Sequence, residues 1–200
     1  MELLLIRHAL PIRVEGATGP ADPPLSDLGH RQSAALVRWL EPEPLDALVV
    51  SPMARARETA EPLAAARDLE AVVHDGVAEF DKDADSYVPM EELKAAGDPR
   101  WQEIVDGGYF GEGDLTPEQF QATVVDAVED VIARHAGQTA AVVCHGGVIN
   151  AYVAHVLGIE DLLFFEPGYT SINRIRASRR GHRMVVSLNE TAHLRDLLRS

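Results

Sequence analysis

The sequence predicts an α/β protein built on a largely parallel sheet. Two patterns carry that expectation. Short apolar, β-branched runs recur between longer stretches of helical periodicity, the alternation that strand–helix–strand units require. Only in the tail do two such runs follow one another across a short polar turn, which adds an antiparallel hairpin. With 200 residues and 46% apolar content, the chain is the size of one domain and has the material for a sizeable core.

The first strand is read at Glu2 to Ile6. A helix follows, with Ser26 as N-cap, Asp27 in the first turn, and Leu28, Ala35, Leu36, Trp39 and Leu40 as the apolar positions that cover a sheet face. Ala47 to Val50 and Ala71 to His74 supply the second and third strands. Thr116-Pro117-Glu118-Gln119 is a capping box with proline at N1, and it leads into Phe120, Val124, Ala127, Val128, Val131 and Ile132 at helical spacing. The fourth strand is Thr139 to Cys144. Ser171 to Ala177 and Arg183 to Leu188 then flank Ser178-Arg179-Arg180-Gly181-His182 as the hairpin, the usual material of a sheet edge.

Asp75 to Leu115 fits none of these patterns. It holds 12 acidic residues against the 3 basic residues Lys82, Lys94 and Arg100, so it carries −9 of the net −14. Its glycines (Gly107, Gly108, Gly111, Gly113) and aromatics (Phe80, Tyr87, Trp101, Tyr109, Phe110) suit an acidic lid inserted into a single domain spanning residues 1–200. The aromatics hint at an apolar or ring-bearing leaving group, although packing within the lid explains them as well.

The charge balance disfavours a chain that wraps nucleic acid or an anionic membrane, so any anion must meet a local basic pocket. Cys144 is the single cysteine, which leaves no intrachain disulfide and no CxxC-type zinc cluster. No run approaches a membrane span, and Leu3 to Ile6 is too short for the apolar region of a signal peptide, so a cytoplasmic location is expected. There is no HExxH and no compact set of metal-ligand spacings, hence no metal and no cofactor in the expectation. A cysteine-phosphatase loop would need arginine six residues after Cys144, where Asn150 stands.

In an open α/β sheet, ligands bind beyond the carboxyl ends of the strands. Here those ends carry reactive types. The first strand runs into Arg7-His8, the second into Ser51-Pro52-Met53-Ala54-Arg55, the third within a few residues into Glu79, and the fourth into His145-Gly146-Gly147. Singly, each reads as an ordinary surface or packing residue; together they converge on one crevice. Guanidinium forks suit phosphate oxygens, and paired glycines at a helix N-terminus let backbone N–H groups approach an anion. The other histidines, His30, His74, His135, His155, His182 and His193, read as surface or packing residues.

Leu5-Ile6-Arg7-His8-Ala9 resembles the "RHG" phosphohistidine motif of the histidine phosphatase superfamily, the phosphoglycerate mutase-like group. Ser51-Pro52-Met53-Ala54-Arg55-Ala56-Arg57-Glu58-Thr59-Ala60 is similar to its "SPLxRAxxTA" segment, and Val143-Cys144-His145-Gly146-Gly147 to its "SHGG" segment. Pro24-Leu25-Ser26-Asp27-Leu28-Gly29-His30-Arg31-Gln32 resembles its "pLTxxGxxQA" helix start. The resemblance implies a three-layer α/β/α sandwich of the phosphoglycerate mutase-like kind, mostly parallel with an antiparallel edge. It makes His8 the nucleophile that is transiently phosphorylated, and Arg7, Arg55 and His145 the phosphate pocket. Glu79 is the best match for the acid/base carboxylate, with Asp75, Asp81 and Asp83 nearby.

The departures concern Ala9, Leu10 and Val14, which stand where the family places glycine, often an acidic residue, and in many members a phosphate-binding asparagine. Arg13 or Arg57 could substitute for the last, although Arg57 at two positions from Arg55 on a helix points away from it. Gly146 and Ser171 are further candidates for the pocket, Ser171 equally a plain strand-edge serine.

The expected function is metal-independent hydrolysis of small phosphomonoesters through phosphohistidine. Three alternatives stand beside it: mutase-type phosphoryl transfer, dephosphorylation of protein phosphohistidine, and a non-catalytic module that binds a phosphorylated ligand. The partner expected is a small phosphorylated metabolite, without nucleic acid or membrane. Homodimerisation enters from the resemblance, with the hairpin as its candidate edge.

Overall fold

The computed structural model describes residues 1–105 and 115–197. Tyr109, Phe110 and the four glycines between 107 and 113, read above as part of the lid, lie outside the described residues. Six strands form one sheet: β1 (Glu2–Arg7), β2 (Ala47–Val50), β3 (Ala71–Val73), β4 (Thr139–Cys144), β5 (Ile172–Ala177) and β6 (Arg183–Glu190). Their order across the sheet is β3-β2-β4-β1-β5-β6. β3, β2, β4 and β1 run parallel, whereas β5 is antiparallel to β1 and to β6.

Side chains of a strand alternate between faces, and the two cores follow that period of two. Leu3 and Leu5 of β1 join Val49, Val142 and Cys144 on one face, under α5 (Pro117–Arg134) and α6 (Gly146–Leu157). Leu4 and Ile6 join Leu48, Val50, Ala141 and Val143 on the other, under α1 (Asp27–Leu40) and α2 (Ala54–Arg67). The result is the expected α/β/α sandwich. Both cores are dense enough that every one of these strand residues is buried.

Local chemistry explains where the helices start. Ser26 Oγ accepts from Gly29 N–H at 3.1 Å and donates to Leu10 O at 2.9 Å, so one hydroxyl caps α1 and ties it to the segment after β1. A side chain at Gly29 would place a Cβ 2.1 Å from Leu10 O, a contact only glycine avoids. The capping box of α5 is present: Thr116 Oγ1 accepts from Gln119 N–H and Gln119 Oε1 accepts from Thr116 N–H. Trp39 corrects the α1 stripe. It is 43% exposed and packs its ring 6.2 Å from that of His193, at the flank of the helix instead of on the sheet.

β3 stops at Val73, one residue short of expectation, because His74 turns its Nδ1 back to accept from Gly76 N–H and opens a 3₁₀ turn. The acidic stretch after it contains α3 (Met90–Ala96) and α4 (Pro99–Val105). Backbone hydrogen bonds stitch its middle to the segment after β1: Val14 and Tyr87 exchange both N–H groups, at 2.9 and 2.7 Å, and Ala17 N–H reaches Asp85 O at 2.9 Å. No helix among the described residues is long and apolar enough to cross a membrane.

Candidate active site

The site lies at the carboxyl ends of β1, β2 and β4. β5 runs the other way, so its start comes to the same edge. Arg7 is the last residue of β1; its backbone N–H donates to Ser171 O at 3.2 Å and its NH1 to Pro167 O at 2.6 Å and to Glu91 Oε1 at 2.7 Å. His8 follows, with its N–H on Cys144 O at 2.8 Å and its ring Nδ1 2.8 Å from Ala9 O. A carbonyl only accepts, so Nδ1 carries the proton and Nε2 keeps its lone pair. Burial first, then the charges of Arg55 and Arg7, hold His8 well below the ordinary imidazole range, which keeps the ring neutral.

Thr59 links β1 to α2: its Oγ1 accepts from Ala9 N–H at 2.9 Å and donates to Arg55 O at 2.7 Å. Arg55, 1% exposed, donates from NH2 to Asp81 Oδ1 at 3.1 Å. Its guanidinium lies 4.5 Å over the Tyr87 ring, and that of Arg7 lies 3.9 Å over Tyr169. His145 caps α6 and its ring centroid is 5.1 Å from that of His8. His145 Nε2 is 2.7 Å from Ser51 Oγ, which already accepts from Met53 N–H at 3.3 Å. The contact holds the ring in place with its other nitrogen, Nδ1, turned toward His8 and left without a partner.

Among the described residues, the guanidinium donors Arg7 Nε and Arg55 Nε and NH1, and the ring nitrogen His145 Nδ1, are buried with no hydrogen-bond partner. An unpaired buried donor costs roughly 1 to 3 kcal/mol, and more when charged. Four such nitrogens around one imidazole are the signature of a site shaped for an anion with several oxygens.

Glu79 is buried beside them. Its Oε2 accepts from Gly147 N–H at 2.9 Å and its Oε1 from Phe80 N–H at 3.3 Å. Burial, reinforced by the nearby Asp81 carboxylate, pushes its pKa up to about 7. A Cβ at Gly147 would stand 2.3 Å from Glu79 Oε1, so the second glycine is what lets the carboxylate lie on the helix N-terminus. This corrects one expectation: the Gly147 N–H is engaged by Glu79. Gly146 lines the cavity, 3.8 Å from Arg7 Nε measured from an idealised Cβ.

Arg7, His8, Arg55, Glu79 and Gly146 thus share one cavity of about 730 Å³, with His145 packed against His8. Arg13 is not in it. The Val14–Tyr87 pairing turns that side chain outward, where it binds Glu15 and, at 3.5 Å, Glu92. Arg57 is exposed, as its helical position implies. Ser171 is buried outside the cavity lining and acts through its backbone carbonyl on Arg7. Cys144 is buried, and burial pushes its thiol up.

Tyr169, Glu91 and the clamp role of Asp81 escaped the sequence reading. Tyr169 O–H donates to Glu91 Oε2 at 2.9 Å, completing a brace on Arg7. The signal for Tyr169 lay in topology: an antiparallel β5 beside β1 must begin at the ligand end. For Glu91, one carboxylate in an acidic stretch, no local pattern marks it.

A sheet whose strand ends deliver two arginines and two histidines around a cavity defines a phosphoryl-handling α/β fold. The chain belongs to the histidine phosphatase superfamily (branch 1), whose family model matches residues 3–191. It is an enzyme, a phosphoric monoester hydrolase of the histidine phosphatase type. Phosphoserine phosphatase 1 of Hydrogenobacter thermophilus is 31% identical over 201 residues, covering 97% of this chain and 94% of that protein. The fold is that of Entamoeba histolytica phosphoserine phosphatase, solved in complex with phosphoserine, at a TM-score of 0.75 and 24% identity over 96% of this chain and 98% of that one. A mycobacterial glucosyl-3-phosphoglycerate phosphatase gives 0.74 at 21% identity, over 95% and 99%.

Proposed function

We propose that the protein hydrolyses small phosphomonoesters, without a metal ion, through a phosphohistidine on His8. The observation that carries this reading is the neutral His8 ring, its Nδ1–H held by Ala9 O, set among the unpartnered nitrogens of Arg7, Arg55 and His145. Attack must come from Nε2, the nitrogen with the lone pair. The charge that spreads over the phosphoryl oxygens meets two guanidinium groups and the unpartnered Nδ1 edge of His145, which serves in the tautomer that carries its proton there; positioning and electrostatics of this kind dominate phosphoryl transfer.

Glu79 supplies the proton chemistry. Protonated, it gives its proton to the departing alkoxide as the P–O bond breaks and the N–P bond forms. Ionised after that transfer, it takes a proton from water, whose oxygen attacks phosphorus and releases phosphate and neutral His8. A pKa near neutrality suits a group that is acid in one half and base in the other.

The chain is a single domain in this reading, and the described part of the acidic stretch, residues 75–105, roofs the pocket through Tyr87 and Glu91. The relative named phosphoserine phosphatase supports a small phosphorylated metabolite as substrate. The test is hydrolysis of p-nitrophenyl phosphate in EDTA, intact protein against His8→Ala, from about pH 5 to 9. The expected result is turnover that survives EDTA and falls on the order of 10³-fold or more in the variant, with an acid-labile phosphoenzyme trapped only in the intact protein. Equal turnover in both proteins overturns the reading.

A further inference from the structure

The cavity has two chemically different ends. At its base, Arg7 and Arg55 match the two negative charges of a phosphomonoester, and their unpartnered buried nitrogens show that this end is made for a ligand. Toward the mouth the balance reverses. The lining carries the carboxylates of Glu91, Glu118, Glu160, Asp161 and Glu166 against one cation, Arg100.

That cation is committed elsewhere. Arg100 grips Asp98 through Nε at 3.0 Å and NH2 at 2.7 Å and stands 3.9 Å from Glu15. Lys94, beside the mouth, is committed to Glu166 at 2.7 Å and to the Trp101 ring. Glu91 is spent on Arg7 and Tyr169, but Glu118 and Glu160 are exposed and have no ion-pair partner among the described residues. After Arg100 the sequence holds no lysine or arginine until Arg134. Phe165 adds an aromatic face to the same wall, a surface that attracts a cation and gives a carboxylate nothing, whereas the Trp101 ring is already covered by Lys94 Nζ at 5.1 Å.

We propose that the mouth of this cavity selects phosphomonoesters of amino alcohols, whose free end carries an ammonium, over esters whose free end carries a carboxylate. The proposal rests on the hydrolase reading above and names the substrate class within it. Selection comes as much from repulsion of the wrong end as from attraction of the right one. A carboxylate entering this wall finds, among the described residues, only the cations Lys94 and Arg100, both already paired with carboxylates, whereas an ammonium finds Glu118, Glu160 and Asp161.

The experiment compares kcat/KM for O-phosphoethanolamine and phosphoglycolate, two esters of similar length with opposite charges at the free end, with p-nitrophenyl phosphate as the reference. The expected ratio favours phosphoethanolamine by about tenfold or more at low salt, and shrinks several-fold at about 0.5 M salt, where screening acts within a few ångströms. The double substitution Glu118→Gln, Glu160→Gln lowers the ratio. Glu61→Gln, an exposed change on α2 outside the cavity, does not. A ratio at or below one, with His8-dependent turnover of p-nitrophenyl phosphate intact, overturns the selectivity and spares the hydrolase reading. Absence of His8-dependent turnover on all three esters overturns both.

Discussion

At the scale of single residues, the site works by making charged states expensive where neutrality is needed. His8 is buried between two arginines, so its imidazolium is disfavoured and its Nε2 lone pair is available below neutral pH. Glu79 is buried beside Asp81, so it holds a proton to about pH 7. In the proposed mechanism the first half-reaction needs His8 deprotonated and Glu79 protonated. Its rate, read as kcat/KM, should rise with pH through the low pKa of His8, peak at mildly acidic to neutral pH, and fall as Glu79 ionises. Asp81→Asn removes the like charge that raises Glu79, so the alkaline limb of the kcat/KM profile should move to lower pH. An alkaline limb that stays where it was, or moves up, removes Asp81 from this role. The same residue holds Arg55 NH2 at 3.1 Å, so a rise in KM should accompany the shift.

At the scale of elements, the N-terminus of α6 is where sequence and chemistry meet most closely. Two successive glycines after a strand-end histidine were legible as room for backbone N–H groups to approach an anion. The anion that Gly147 binds is the protein's own Glu79 carboxylate. Gly147→Ala places a methyl 2.3 Å from Glu79 Oε1, and the side chain, being the flexible partner, must yield. The expected outcome is a loss of kcat of about 10² to 10⁴, the range for general acid–base catalysis, with a small change in unfolding free energy. A well-folded Gly147→Ala protein of normal kcat would show that Glu79 does its work from another position. The capping box of α5 and the Ser26 cap of α1 could be read directly because caps are local: donor and acceptor lie three residues apart. The Trp39 error is the converse case. Its environment is set by His193, 154 residues further along the chain, and helical periodicity carries no information about that neighbour.

At the scale of the whole molecule, two cores clamp a sheet whose carboxyl edge holds buried guanidinium nitrogens that lack hydrogen-bond partners. Folding bears the desolvation cost of those donors in the absence of an anion, so an anion that fits should stabilise the entire fold by mass action. Phosphate or orthovanadate at about 100 times its Kd should add about 2.7 kcal/mol and raise the melting temperature, whereas chloride at the same ionic strength should not. Thermal melts in the three salts check this, and equal shifts would reduce the cradle to general screening.

The sequence by itself determined the α/β class, the parallel strands with their antiparallel tail, and that Arg7, His8, Arg55, Glu79 and His145 follow strands; the resemblance to the family implied the three layers. Helical and strand periods are local, and strand ends announce what lies beyond them. Tertiary structure alone decided the protonation and the company of those groups. Ser51 holds the His145 ring, Glu91 and Tyr169 brace Arg7, and the Val14–Tyr87 pairing sends Arg13 to solvent. Burial, tautomer and pKa depend on atoms brought together from distant parts of the chain, and no local pattern encodes a distance of three ångströms between residues a hundred positions apart.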